Sequence, residues 1–351
     1  MRIGLGLIAH NEETLITRCL DSFGGIGFDE ICLIVNNSTD KTYEKAIAWR
    51  DENFPLMHID KVEIKPFRFD QARNMYVNWL DDKVDYILTV DVDDFSTPGL
   101  ETFMKELRAA KTCEHDVIAV QYRTGKDSSH MNFRLFRTKI GVRYEGAVHE
   151  YIWCKPEHKR HLAPCEVIHH PTALDHYDTS AQRNLDIFEL LGKPTRREIF
   201  YYANTLRDMR KFPEAVKAYQ DYRTEPYCYY DEWCHTWIYE GRCLRFQGKN
   251  DESIKVLTEF VTKDGSWGMA WIELAYNYFF AKKDVYNALA ATARAQGCPF
   301  RHRLFEEENK AQNGPETIKY LKLAYESINK QIEALPPDKR VRAAAFPGIR
   351  A

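Results

Sequence analysis

Three carboxylates close the stretch YILTVDVDD: Asp91, Asp93 and Asp94 follow directly on the apolar run Ile87 to Val90. Side chains two apart on an extended chain share a face, so Asp91 and Asp93 can work as a pair. Carboxylates clustered at the end of a buried strand either face water or take a cation, and hard oxygen donors of this kind suit Mg2+ or Mn2+. The same stretch also fits a solvated turn, with Ser96, Thr97 and Pro98 as the start signals of a following helix. Farther along, EGAVHE brings Glu145 and Glu150, either of which could take a proton from an attacking nucleophile. His149, next to Glu150, could position a substrate or simply pack. VIHHP places His169 and His170 at the end of another extended run.

These side chains need a frame. RIGLGLIA (2–9) reads as a strand, and Leu15, Ile16, Cys19, Leu20 and Phe23 recur at helical spacing until Gly24-Gly25 stops them. A buried-type strand, Ile31 to Val35, then a helix DKTYEKAIAWRDE, a strand LMHIDKVEI and a helix FDQARNMYVNWLDD lead to YILTVDVDD. Strands alternating with helices predict an α/β domain with a parallel sheet covered on both faces. Ligands of such sheets bind at the carboxyl ends of the strands, where the acidic cluster falls. HDVIAVQYRTGK, SHMNFRLFRTKIGVRYEG, HEYIWC and CEVIHHP read as further strands, with CKPEHKRHLAPC as an exposed loop between the last two. The cysteines and histidines of that loop fit no standard zinc spacing.

The ordered pieces LGLIAHNEETLITRCLDSF, VNNSTDKT, FDQARN, YILTVDVDD and RLFRTKIGVRYEGAVHE resemble the successive landmarks of family 2 glycosyltransferases with a GT-A fold. The resemblance covers about half the chain by motif. It implies an inverting, metal-dependent transfer of sugar from a nucleoside-diphosphate donor, with a UDP-sugar expected. In that frame Asp91 and Asp93 are the DxD pair, Asp91 toward the ribose and Asp93 on Mn2+ or Mg2+, with His170, or else His169, as a further metal ligand. Ala9, His10, Asn11 and Glu13 would face the nucleotide, Asp70 the base and Arg73 the phosphates. Most relatives carry aspartate after the second strand; here Asn36-Asn37 stands instead, and Asn37 would have to serve. The match to VHE makes Glu150 the catalytic base, with Glu145 as competitor.

Near residue 175 the strand signals give way to helical patterns. Three segments, 201–219, 237–257 and 271–291, overlay with Ala203, Gly241 and Ala275 at one small-residue position, and Ala215 and Ser253 at a second. The third copy has Ala288 one place late. Small residues at fixed points let paired helices close up, and the period resembles the tetratricopeptide repeat, a resemblance also found in one branch of the transferase family. The expected organisation is a GT-A domain at 1–175, a helical domain at 176–335 and a basic tail at 336–351. The helical part would order the acceptor or build a homodimer, and EPYCYYDEWCHTWIY supplies aromatics, from Tyr227 to Tyr239, for its core or a groove.

Composition bounds the function class. The 351 residues carry a net charge of −3, which gives no general drive toward nucleic acid or an anionic membrane. No apolar run is long enough to span a bilayer. Nine scattered cysteines without a CxxC pair suit a reducing compartment, so a cytoplasmic protein is expected. A protein or peptide side chain and a glycan are the expected acceptors, with modified DNA as a third class. The alternative to an enzyme is an inactive transferase domain that presents the helices to partners.

Overall fold

The computed structural model describes residues 1–124, 129–170, 176–224 and 229–299, with residues 326 and 330. The expected tail, Tyr227 and the end of the expected helical domain, those two residues apart, lie outside the described residues. The chain divides into two compact units, Met1–Tyr201 and Tyr202–Ala351, so the boundary expected at 175 falls inside the first unit.

The first unit begins with strand β1 (Ile3–Ala9), helix α1 (Ile16–Gly24), β2 (Glu30–Asn36), α2 (Thr42–Asn53), β3 (His58–Val62), α3 (Phe69–Leu80) and β4 (Tyr86–Asp91). The order β3-β2-β1-β4 is parallel throughout. Alternation along β1 decides what each face carries. Ile3, Leu5 and Leu7 pack with Ile16, Cys19, Leu20 and Phe23 of α1 in one core. Gly4 and Gly6 face the other way, against α3: a Cβ on Gly6 would lie 2.3 Å from the Tyr76 ring. Glycine here lets α3 lie close on the sheet.

The remainder of the first unit is β5 (Asp94–Phe95), α4 (Pro98–Ala109), β6 (Val117–Arg123), β7 (Ser129–Arg137), β8 (Arg143–Glu145), β9 (Tyr151–Trp153), β10 (Arg160–His169), α5 (His176–Glu189) and the start of α6 (Arg196–Asp208). The sheet is mixed, not wholly parallel: its order continues β4-β7-β6-β10-β5, with β7 antiparallel to both of its neighbours. Strands that follow one another closely in sequence pair antiparallel, which sets β7 between β6 and β4. Thr97 caps α4, its Oγ1 accepting from Leu100 N–H at 3.2 Å with Pro98 in the first turn. The helix-start signals after the acidic cluster are therefore real, and coexist with it. Residues 160–165, expected in a loop, belong to β10, which pairs with β6 through a register shift between Leu162 and Glu166.

The second unit holds the rest of α6, then α7 (Phe212–Arg223), α8 (Tyr230–Phe246), α9 (Asn250–Lys263), α10 (Gly268–Tyr276), a π-helical turn (Asn277–Ala281) and α11 (Val285–Gln296). Ala203, Ala215, Gly241, Ser253, Ala275 and Ala288 are all buried. A Cβ on Gly241 would lie 2.5 Å from Leu257, and Ser253 Oγ donates to Gly241 O at 2.7 Å, so α8 and α9 close on each other there.

Candidate active site

The site forms where β1, β2 and β4 end. Arg73, the fifth residue of α3 and 5% exposed at its side chain, donates from Nη2 to Asp91 Oδ1 at 2.6 Å and from Nε to Glu150 Oε1. Arg134 of β7 donates to the other Asp91 oxygen at 2.9 Å. Burial opposes ionisation of Asp91, but Arg134 and Arg73 hold its carboxyl far below the usual carboxylate range. Asp91 is thus a fixed anion between two guanidinium groups, each of its oxygens accepting from one of them.

Asp94 is fully buried and works inward. Its Oδ2 accepts from Asp91 N–H at 2.7 Å, and its Oδ1 meets the Tyr122 hydroxyl and His169 Nδ1, the latter at 3.0 Å. It locks the turn that carries Asp91 and Asp93. Burial and then the Asp91 charge push the Asp93 carboxyl up to about 6. Asp93, Asp94 and His169 offer ligand atoms that all lie within 4.8 Å of one another. The histidine of this group is His169, with Nδ1 3.4 Å from Asp93 Oδ1. Burial works against its protonation, yet the Asp94 hydrogen bond and the nearby carboxylates raise its proton affinity. His170, expected to be the ligand, is exposed and meets Asp93 through its backbone N–H, at 2.9 Å from the carbonyl. Asp93, raised toward neutrality, and the His169 imidazole beside it make a mixed oxygen and nitrogen donor pair that suits a Mn2+ type of ion better than Mg2+ or Ca2+, which prefer oxygen.

The turn between β8 and β9 delivers Glu150. Gly146 has φ 108°, open to glycine only, and a Cβ there would meet Glu150 Cα at 3.4 Å. Ala147 O accepts Phe69 N–H at 2.9 Å, and the Asn74 amide exchanges hydrogen bonds with both backbone groups of Tyr144, at 2.8 and 2.9 Å. These bonds pin the turn to α3, which carries Arg73. Glu145 is placed apart, paired with Arg143 and with the Tyr151 hydroxyl at 2.8 Å. His149, exposed with φ 54°, stacks on Tyr201 at 4.2 Å between centroids.

At the first strand ends, Ala9 is buried and His10 Nδ1–H donates to Asn36 O at 2.7 Å. Asn11, at φ 55°, takes Thr39 N–H on Oδ1 at 2.8 Å. Asn36 Oδ1 is used on Ile64 N–H at 2.9 Å, whereas the half-buried Asn37 side chain makes no hydrogen bond among the described residues. Glu13 turns to the start of α2, accepting Lys41 N–H at 3.1 Å. Asp70 turns to Arg68, at 2.8 and 3.1 Å, and to Gln71 N–H at 2.8 Å. Neither Glu13 nor Asp70 joins the Asp91 cluster. Glu12, absent from the expected set, does: burial and then the charges of Asp93, Asp40 and Asp91 push its carboxyl up to about 7. Arg134 was likewise not expected, and Asp94, the third carboxylate of the cluster, had no role assigned to it. Arg134 lies where the pairing of β6 and β7 slips, Ile118 facing Leu135 and Ala119 facing Phe133, so simple alternation gave no signal for it.

Residues 5–159 match the model of glycosyl transferase family 2. The first unit is accordingly a glycosyltransferase domain of GT-A-like α/β fold. The match spans somewhat under half of the 351 residues. Among solved structures, TarS 1–349 of S. aureus in complex with UDP-GlcNAc is similar at 13% identity over 86% of this chain and 93% of that one, with a TM-score of 0.40. Glucosyl-3-phosphoglycerate synthase of Mycobacterium tuberculosis, in complex with Mn2+, UDP-glucose and phosphoglyceric acid, aligns at 21% identity over 35% and 45%, with a TM-score of 0.28. PcrH of Pseudomonas aeruginosa aligns at 12% over 38% and 95%, with a TM-score of 0.32. No protein of curated function matches the chain by sequence.

Proposed function

We propose that the first unit transfers a sugar from a nucleoside-diphosphate sugar, with UDP as the working nucleotide, to a nucleophilic acceptor with inversion. The observation that carries this reading is the Arg73 bridge, which ties Glu150 to Asp91 beside the Asp93–His169 pair. Glu150 Oε1 is held by Arg73, and Oε2 makes no hydrogen bond among the described residues. That oxygen takes the acceptor proton as the acceptor bonds to the anomeric carbon, while the bond from that carbon to the phosphate oxygen breaks and its electron pair leaves with the diphosphate. A divalent ion held by Asp93 and His169 would supply positive charge to the leaving diphosphate. Asp91, already neutralised by Arg73 and Arg134, then orients the donor as a hydrogen-bond acceptor, its suggested partner the ribose. Ala9, His10, Asn11 and Asn37 line the nucleotide end; Glu13 and Asp70 support the loops from behind.

The helical unit supports a tetratricopeptide-like arrangement through its buried small residues, with an acceptor of protein or glycan type. Among the described residues no helix is long and apolar enough to cross a membrane, and eight free cysteines fit a reducing cytoplasm. Donor hydrolysis profiled over a panel of nucleotide-sugars tests the reading. One sugar-nucleotide should be turned over, and Glu150→Gln should abolish transfer while donor binding persists. Undiminished turnover in Glu150→Gln would move the base elsewhere.

A further inference from the structure

The turn that carries Glu150 is gripped by α6 as well as by α3. Glu198, in the first turn of α6, is buried, and its Oε1 accepts Ala147 N–H at 3.0 Å. Its Oε2 accepts Thr195 N–H at 2.7 Å, while Thr195 Oγ1 accepts Glu198 N–H at 3.3 Å. Thr195 O takes the first helical bond, from Ile199 N–H at 3.0 Å, so Thr195 and Glu198 form a capping box. The box commits one carboxylate oxygen of Glu198. The other goes to a turn 51 residues away in sequence.

Tyr201 lies three residues on, on the same face of α6, and stacks on His149 at 4.2 Å between centroids. One helix face therefore holds the turn on both sides of Val148, and Glu150 follows directly. The turn needs holding, because Gly146 and His149 both have positive φ, 108° and 54°, and a residue other than glycine stays there only where its surroundings offset the cost. Ala147 also gives its carbonyl to Phe69 N–H, so it joins the start of α6 to the start of α3, the helix that carries Arg73. Starting a helix does not by itself require a buried carboxylate, and burying one is costly unless its oxygens are bonded. We propose that Glu198 is a positioning residue for Glu150: through Ala147 it fixes the turn so that the Glu150 carboxylate meets Arg73 and the acceptor proton, without itself touching the reacting atoms. The assignment rests on the transfer reading, with Glu150 as base.

The test uses the full chain with Mn2+ and whichever of UDP-glucose, UDP-galactose and UDP-N-acetylglucosamine the native protein hydrolyses fastest, with UDP affinity measured by calorimetry. Glu198→Ala should lower kcat about a hundredfold, the scale of loss when a catalytic group is displaced by about 1 Å. KM for the donor and UDP affinity should stay within about twofold, because the nucleotide end is held by other strand ends. Glu198→Gln keeps one acceptor oxygen and should fall between the native protein and Glu198→Ala; it carries the test if the alanine variant does not fold. Thr195→Ala is the control for helix capping: it removes the Oγ1 bond but leaves Glu198 on Ala147, so it should lower the melting temperature and keep kcat within about twofold. Native kcat in a folded Glu198→Ala or Glu198→Gln would overturn the assignment. So would a kcat loss matched by lost UDP affinity, or an equal kcat loss in Thr195→Ala, since either would make Glu198 merely structural. Undiminished turnover in Glu150→Gln would strike the base reading instead, whatever the Glu198 variants do.

Discussion

Arg73 Nη2 stands 2.6 Å from Asp91 Oδ1, and the same guanidinium reaches Glu150 with Nε. One planar cation therefore fixes the distance between the donor-side anion and the proposed base. Lysine offers a point charge and cannot span both. Arg73→Lys should fold and should lower transfer by about a hundredfold, the scale expected for a misplaced catalytic group. Arg73→Ala should also destabilise the protein, by about 3 to 5 kcal/mol, because it strands buried carboxylates without their partner. Denaturant titration of both variants separates the two effects.

Asp94 predicts a structural lesion, not a chemical one. It is fully buried and takes three donors, from Asp91 N–H, Tyr122 and His169. Asp94→Ala should cost about 2 to 4 kcal/mol by leaving those donors unsatisfied. Tyr122→Phe removes one of the three and should cost about 1 kcal/mol. Thermal unfolding of the two variants should keep that order.

Glu12 predicts a pH slope. Its carboxyl is pushed from the ordinary 4.5 up to about 7 in the folded protein. A raised carboxyl means that the folded state holds more protons than the unfolded one between those values. Its contribution is therefore fully present below pH 4.5 and fades as the pH climbs to about 7. Glu12→Gln should flatten this part of the stability profile, measured as denaturation midpoints across that window in the presence of chelator.

Gly6 tests how α3 is seated. A methyl group there would fall 2.3 Å from the Tyr76 ring, which is wholly buried and cannot swing away. Gly6→Ala should destabilise by about 1 to 3 kcal/mol, the cost of overpacking. Because α3 carries Arg73, it should also reduce transfer in the fraction that remains folded. A variant of native stability would mean that α3 lies farther from β1 than described.

What local pattern dictates was legible in the sequence, and what distant pairing dictates was not. The strands ending at Ala9, Asn36 and Asp91 announced themselves as apolar runs closing on polar turns, and Glu150 through the VHE landmark. Arg134 reaches Asp91 only because β7 inserts beside β4, a pairing between residues 43 apart that periodicity cannot foresee. The choice of His169 over His170 is a matter of parity along β10. The register shift between Leu162 and Glu166 resets that parity, and a slip of one residue reverses which face a side chain takes. Asp70 and Glu13 were drawn toward the nucleotide by motif, but nearer cations and amides hold them: Arg68 for the first, the start of α2 for the second.

Calorimetric titration of the full chain with UDP, with and without Mn2+, for the native protein, Asp93→Ala and Glu150→Gln, tests the central claim most directly. The account predicts UDP binding that Mn2+ strengthens, a metal effect lost in Asp93→Ala, and unchanged affinity in Glu150→Gln. UDP binding that ignores Mn2+ and survives Asp93→Ala, or no binding at all, would contradict it.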